Sequence, residues 1–133
     1  MATRILIIDG DISLSTVLSD YLASRGYKAQ AVGNGKAGLD ALSAGHWDLI
    51  LMELQGVEMN GFELLKTIRH RLPNIPLIVL TSRNDRESQM RAFQLGCDDY
   101  QTKPSRWIFS FAAWRLFYVV FGHFRRANRR SLT

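Results

Sequence analysis

The chain has 133 residues, of which 47% are hydrophobic and 22% are charged, and its net charge is +5. This length is enough for one domain with its own core. The composition excludes a disordered chain and, because Cys97 is the single cysteine, an intramolecular disulfide framework.

The positive charge belongs to the C-terminal part of the chain. Residues 105–133 contain six Arg and no acidic residue, whereas residues 1–104 contain 11 Lys or Arg and 12 Asp or Glu. The two parts therefore differ in charge, and the alternating strands and helices described next lie in the first.

In chain order, short apolar runs alternate with stretches of helical periodicity as far as Pro104. The predicted strands are RILIID (4–9), KAQAV (28–32), DLILME (48–53), IPLIVLTS (75–82) and DDYQTKP (98–104). The helices predicted between them span 12–26, 35–45, 61–71 and 85–96. Strands and helices that alternate at these lengths predict an α/β fold, with one parallel sheet and helices on both of its faces.

The first predicted strand also bears on location. MATRILIIDG holds only a short apolar run before Asp9, which is typical of a buried strand and too short for the apolar core of a signal peptide. Together with the single cysteine, this favours a reducing, cytoplasmic setting.

Polar side chains stand where four of the predicted strands end. They are Asp9 and Asp11 after the first strand, Glu53 after the third, Thr81 and Ser82 after the fourth and Lys103 after the fifth. Sites in parallel sheets form at the carboxyl ends of the strands. Acids, a hydroxyl and a lysine at one such edge suit a phosphoryl-binding centre, in which carboxylates hold a divalent cation and the lysine neutralises phosphoryl oxygens.

These residues stand in motifs that resemble the receiver domain of two-component response regulators. The matching motifs are ILIIDGD, DLILMELQGVEMNGFELL, IPLIVLTS and GCDDYQTKP, and the resemblance covers residues 3–104, nearly four-fifths of the chain. It implies a three-layer (βα)5 flavodoxin-like receiver fold with the parallel sheet order 2-1-3-4-5. It also implies a signalling module rather than an enzyme.

The resemblance also implies roles for the residues of the site. In that family a histidine kinase phosphorylates an Asp at the end of the third strand, and acids at the first strand hold Mg²⁺. A Thr or Ser and a Lys contact the phosphoryl group, and an aromatic residue on the fifth strand swings inward. The residues that match are Asp9 and Asp11 for the acidic pocket, Thr81 and Lys103 for the phosphoryl contacts, and Tyr100 for the switch aromatic.

Two central positions depart from the family pattern. Glu53 stands at the phosphoacceptor position, and Gly10 stands where the family has a second acid that binds Mg²⁺ directly. In the next loop, Gly56 and Val57 replace a common Met-Pro pair. We therefore expect no resident cofactor, with Mg²⁺ as the one candidate and Asp9 as its matching ligand.

Glu53 admits two interpretations. Its extra methylene carries the carboxylate about 1.5 Å farther out, towards where a phosphoryl group on an Asp would lie and within reach of Lys103 and Thr81. The module would then be biased towards its active conformation without phosphorylation, and would act through protein contacts with a histidine kinase or a downstream effector. Alternatively, the site is degraded and switches nothing.

Composition changes abruptly after Pro104. The segment 107–124 is almost uninterrupted in its apolar character, and residues 105–133 carry eight of the 14 aromatic residues of the chain. We interpret residues 1–124 as the receiver domain, with 105–124 as an atypical aromatic fifth helix, and residues 125–133 as a basic tail.

Three interpretations of this C-terminal part stay open. In the first, its aromatic surface binds a partner, including a second copy through the face formed by helix 4, strand 5 and helix 5. In the second, residues 107–130 contact a membrane and the protein is a membrane-associated adaptor. In the third, residues 105–133 arise from a frameshift that removed an output domain. Reading the codons one base earlier permits a sequence that resembles the fifth helix of a receiver domain, namely Lys-Pro-Phe-Ser-Leu-Asp-Leu-Leu-Leu-Arg-Arg-Leu-Ala. Specific nucleic-acid binding is not expected, since an Arg cluster alone attracts phosphate without reading bases.

Overall fold

The computed structural model of the chain describes residues 3–103. Its elements are β1 (Arg4–Ile8), α1 (Ile12–Ser24), β2 (Lys28–Val32), α2 (Gly35–Ala44), β3 (Leu49–Met52), α3 (Gly61–Arg71), β4 (Leu77–Thr81), α4 (Arg86–Leu95) and β5 (Asp99–Thr102). Each lies where the sequence predicts it. All strand pairs are parallel, and the sheet order β2-β1-β3-β4-β5 confirms the flavodoxin-like prediction.

The alternation of side chains along the strands divides the core into two layers. Leu6 and Ile8 of β1 point to the face covered by α2, α3 and α4, whereas Ile5 and Ile7 point to the face covered by α1. All four are at most 2% exposed, as a parallel strand with helices on both faces requires.

Each described helix begins at a polar residue in the loop that follows a strand. Asp11, Asn34, Asn60 and Asp85 all accept hydrogen bonds from backbone N–H groups in the first turn of the helix that follows. Such caps satisfy N–H groups that have no partner inside the helix. They also fix where the chain turns, and so hold the loops above the carboxyl edge of the sheet.

Two predictions fall outside the described residues, namely the aromatic fifth helix over 105–124 and the basic tail over 125–133. The candidate membrane segment 107–130 lies there too. Between residues 3 and 103, no helix has the length and apolar character needed to cross a bilayer.

Candidate functional site

Three of the predicted site residues meet at the carboxyl edge of the sheet. Ile8 of β1 pairs with Met52 of β3, so the residues that follow, Asp9 and Glu53, lie side by side. The Lys103 ammonium, which follows β5, lies 2.6 Å from Asp9 Oδ2 and 3.1 Å from Glu53 Oε1. We call these three residues the carboxylate–lysine cluster.

The cluster is buried, and this determines its electrostatics. The Asp9 and Glu53 side chains are 7% and 5% exposed, and that of Lys103 is 10% exposed. A buried charge is tolerated when it is paired and hydrogen-bonded, but here one ammonium serves two carboxylates. Burial raises the pKa of Asp9, although hydrogen bonds from Lys103 and from the Asp11 N–H act in the opposite direction.

The Glu53 carboxylate accepts hydrogen bonds from three strand ends. Its Oε2 accepts from the Leu54 N–H at 2.6 Å, and its Oε1 accepts from Lys103 and from the Ser82 N–H at 3.2 Å. The Ser82 hydroxyl adds a longer contact of 3.4 Å. One side chain thereby joins the ends of β3, β4 and β5.

The hydroxyl partner of Glu53 differs from the one predicted from the sequence. Thr81 is fully buried, and its Oγ1 accepts a hydrogen bond from the Arg83 N–H. It continues the alternation of Leu77 and Val79 along β4, so its side chain faces the core. Among the described residues it is Ser82, one position later, whose hydroxyl and N–H reach the Glu53 carboxylate.

Asp11 lies next to the cluster but outside it. Its side chain caps α1 by accepting from the Leu14 N–H at 3.1 Å, while its own N–H donates to Asp9 Oδ1 at 2.8 Å. The contribution of Asp11 to the acidic pocket is therefore a backbone donor, because its carboxylate is used at the helix N-terminus.

Tyr100 occupies an inward position. Its side chain is buried, and its hydroxyl donates to the Arg83 carbonyl oxygen at 2.7 Å. Burial raises the pKa of Tyr100 to about 12, so the phenol stays protonated and remains a donor. This hydrogen bond ties β5 to the loop between β4 and α4, which also carries Ser82.

The surroundings of Gly10 do not fit the magnesium site that the resemblance implies. A Cβ atom on Gly10 would lie 2.1 Å from the Gly56 carbonyl oxygen, so the position has no room for an acidic side chain. Lys103 already bridges the two available carboxylates. Within residues 3–103, no group of three or more His, Cys, Asp or Glu side chains is placed to hold a metal ion.

Sequence reasoning found the charged residues of the site and missed its backbone groups. Ser82 had a signal, since it follows Thr81 at the end of a predicted strand. The Leu54 N–H had none, because any residue but proline supplies that donor. Gly56 was visible as a departure in its loop, but its approach to Gly10 depends on tertiary structure.

Comparison with known proteins identifies the same family as the motifs do. A family model described as the response regulator receiver domain matches residues 5–107. The transcriptional regulatory protein RprY of Bacteroides fragilis is 35% identical over 101 residues, which are 76% of this chain and 43% of that protein. The chain spans less than half the length of the curated relatives that it matches.

Solved structures agree with this match. The crystal structure of a two-component response regulator from Clostridium difficile has a TM-score of 0.81 at 29% identity, and the match covers 95% of this chain and 98% of that one. A CheY-like receiver domain protein from Methanospirillum hungatei has a TM-score of 0.85 and covers 98% and 99% of the two chains. At 22% identity, this second likeness shows the fold alone.

Proposed function

The chain belongs to the response regulator receiver domain family, and from that premise we propose that it signals through protein contacts without being phosphorylated. The observation that carries this proposal is the set of donors around Glu53. Lys103 and the Ser82 N–H, at the ends of β5 and β4, both donate to one carboxylate oxygen at the phosphoacceptor position.

The reach of Glu53 is the physical basis of the proposal. Its carboxylate stands one methylene farther from β3 than that of an Asp, about 1.5 Å towards the place of a phosphoryl group. A carboxylate has two oxygens and one charge, whereas a phosphoryl group has three oxygens and up to about two charges. Glu53 is therefore a partial substitute, sufficient to join the strand ends but weaker than the modification itself.

The inward Tyr100 supports an active-like conformation. In the family the aromatic at this position swings inward when the domain is activated, and here the ring is buried with its hydroxyl bound to Arg83. The alternative of a degraded site gives no reason for Glu53 to accept from three strand ends. It also leaves the orientation of Tyr100 unrelated to Glu53.

The partner class follows from the absence of a phosphorylation step. A module whose state is set by its own sequence needs an effector that reads that state, and a histidine kinase would be a binding partner rather than a phosphodonor. Control of transcription, the role in the names of the curated relatives, would need sequence beyond the length that this chain shares with them. A cytoplasmic location is part of the same proposal.

Phosphorylation by a small phosphodonor with Mg²⁺ tests this function. We expect no acyl phosphate on the wild type, and none on Glu53→Asp, because the neighbouring position is Gly10 and Lys103 holds the carboxylates. The measurement is the mass of the intact protein, with a typical receiver domain as the positive control. Stoichiometric, Mg²⁺-dependent labelling of the wild type would refute the proposal.

A further inference from the structure

We propose that Gly10 and Gly56 form a matched pair that closes the magnesium position with backbone. In this arrangement the missing side chain of Gly10 makes room for the Gly56 carbonyl, and the loop 54–60 lies against the end of β1. The inference rests on the proposed function and explains how the site is closed without a metal. Gly10 is then a positioning residue and not merely a lost ligand.

The contact at Gly10 is too close for any side chain. Its Cβ would lie 2.1 Å from the carbonyl oxygen of Gly56 and 3.2 Å from the carbonyl carbon. Both are backbone atoms, so no rotamer change relieves the overlap. Even alanine at this position requires the loop to move.

Gly56 is needed for a different reason. Its φ is +71°, in the left-handed region that glycine adopts without steric cost, while the space around its own Cβ position is open within 4 Å. Gly10 therefore supplies space and Gly56 supplies backbone conformation. Either substitution alone would disturb the same contact.

The loop is anchored on its far side, so it cannot yield without a detectable change. Val57 is completely buried, and its carbonyl accepts a hydrogen bond of 2.8 Å from the Gly35 N–H at the start of α2. Asn60 caps α3 at the end of the loop. A loop displaced by a side chain at Gly10 should lengthen or break the bond to Gly35.

The consequence is that an acid at position 10 does not by itself restore a metal site. In Gly10→Asp the new side chain would meet the Gly56 carbonyl before it could face a cation. Restoration should also require a loop without the left-handed turn, such as the Met-Pro pair common in the family at positions 56 and 57.

Amide hydrogen exchange at Gly35 tests the displacement directly. We expect Gly10→Ala to accelerate exchange of this amide by about tenfold or more, because its acceptor moves away. Gly33→Ala is the matched control, since it adds the same methyl group two residues from Gly35 with nothing within 4 Å of it. Folded Gly10→Ala protein in which Gly35 exchanges at the wild-type rate would overturn the inference.

A second series decides the matter even if Gly10→Ala does not fold. In the Glu53→Asp background, Gly10→Asp alone should remain unlabelled by the small phosphodonor, whereas Gly10→Asp with Gly56→Met and Val57→Pro should be labelled when Mg²⁺ is present. Labelling without the loop change, or no labelling of the folded four-substitution protein, contradicts the glycine pair. Neither result bears on the proposed function, which stands or falls on the wild type.

Discussion

One methylene at Glu53 changes what the end of β3 can contact. The resulting carboxylate accepts from Lys103 and Ser82, which follow two other strands. A glutamine at this position would lose the charge, and an aspartate would lose the reach. Under the proposed function, Glu53 acts through these donors and not as a phosphoacceptor.

Removal of Lys103 should be costly. In Lys103→Met the carboxylates of Asp9 and Glu53 remain buried without their cation, and we expect the free energy of unfolding to fall by about 3 kcal/mol at neutral pH. Urea unfolding measures this. Lys66→Met, an exposed lysine on α3, is the matched control and should change stability by less than about 0.5 kcal/mol.

The loss in Lys103→Met should also depend on pH. Burial already raises the pKa of Asp9, and the substitution removes the lysine that lowers it. A carboxyl whose folded pKa lies above its unfolded value binds its proton more tightly in the folded state, so it favours folding at low pH and loses that contribution as the pH rises. The stability gap between variant and wild type should therefore narrow as the pH falls from neutrality; a gap independent of pH would show that Asp9 is not the group left unpaired.

At the scale of elements, Arg69 at the end of α3 holds the turn that precedes β5. Its guanidinium donates to the carbonyl oxygens of Leu72, Ile75 and Gly96 and pairs with Asp98 at 3.0 Å. It thereby joins the end of α3 to the turn between α4 and β5. Arg69 therefore fixes the turn from which β5, the strand that carries Tyr100, begins.

Arg69→Lys tests this role of Arg69. A lysine keeps the charge but cannot present donors in several fixed directions. We therefore expect the free energy of unfolding to fall by about 2 kcal/mol. The measurement is the midpoint of chemical denaturation. Arg71→Lys, an exposed position two residues later, should leave the midpoint unchanged, and an equal effect in both variants would rule out the specific role of Arg69.

The strands and helices were predictable because hydrophobic periodicity and turn residues determine them locally, whereas the order of the strands in the sheet was implied by the resemblance to receiver domains. The apolar composition of DLILME and IPLIVLTS indicates buried strands, and the polar residues at their ends indicate the site. The choice of Ser82 over Thr81 was not predictable, since it depends on which face of the sheet Thr81 occupies. The approach of Gly56 to Gly10 was not predictable either, because it brings together backbone atoms that are distant in sequence.

At the scale of the whole molecule, a sheet with helices on both faces places the switch elements around a single buried cluster. The charged residues follow β1, β3 and β5. The loop after β4 supplies Ser82 and the Arg83 carbonyl that accepts the hydrogen bond of Tyr100. A change at Glu53 should therefore be felt at Tyr100 through the ends of neighbouring strands. Under the proposed function, this coupling needs neither a metal nor a phosphoryl group.

The most direct measurement is the solvent exposure of the Tyr100 ring, followed by NMR with a soluble paramagnetic agent in the absence of Mg²⁺. In the wild type the ring should be protected from the paramagnetic agent. Glu53→Gln weakens the attraction of Lys103, so in this variant the protection of the ring from the agent should fall several-fold. Glu63→Gln, an exposed acid on α3, is the control and should leave the ring protected. A Tyr100 ring equally protected in Glu53→Gln and in the wild type would contradict the claim that Glu53 holds the receiver in its active-like conformation.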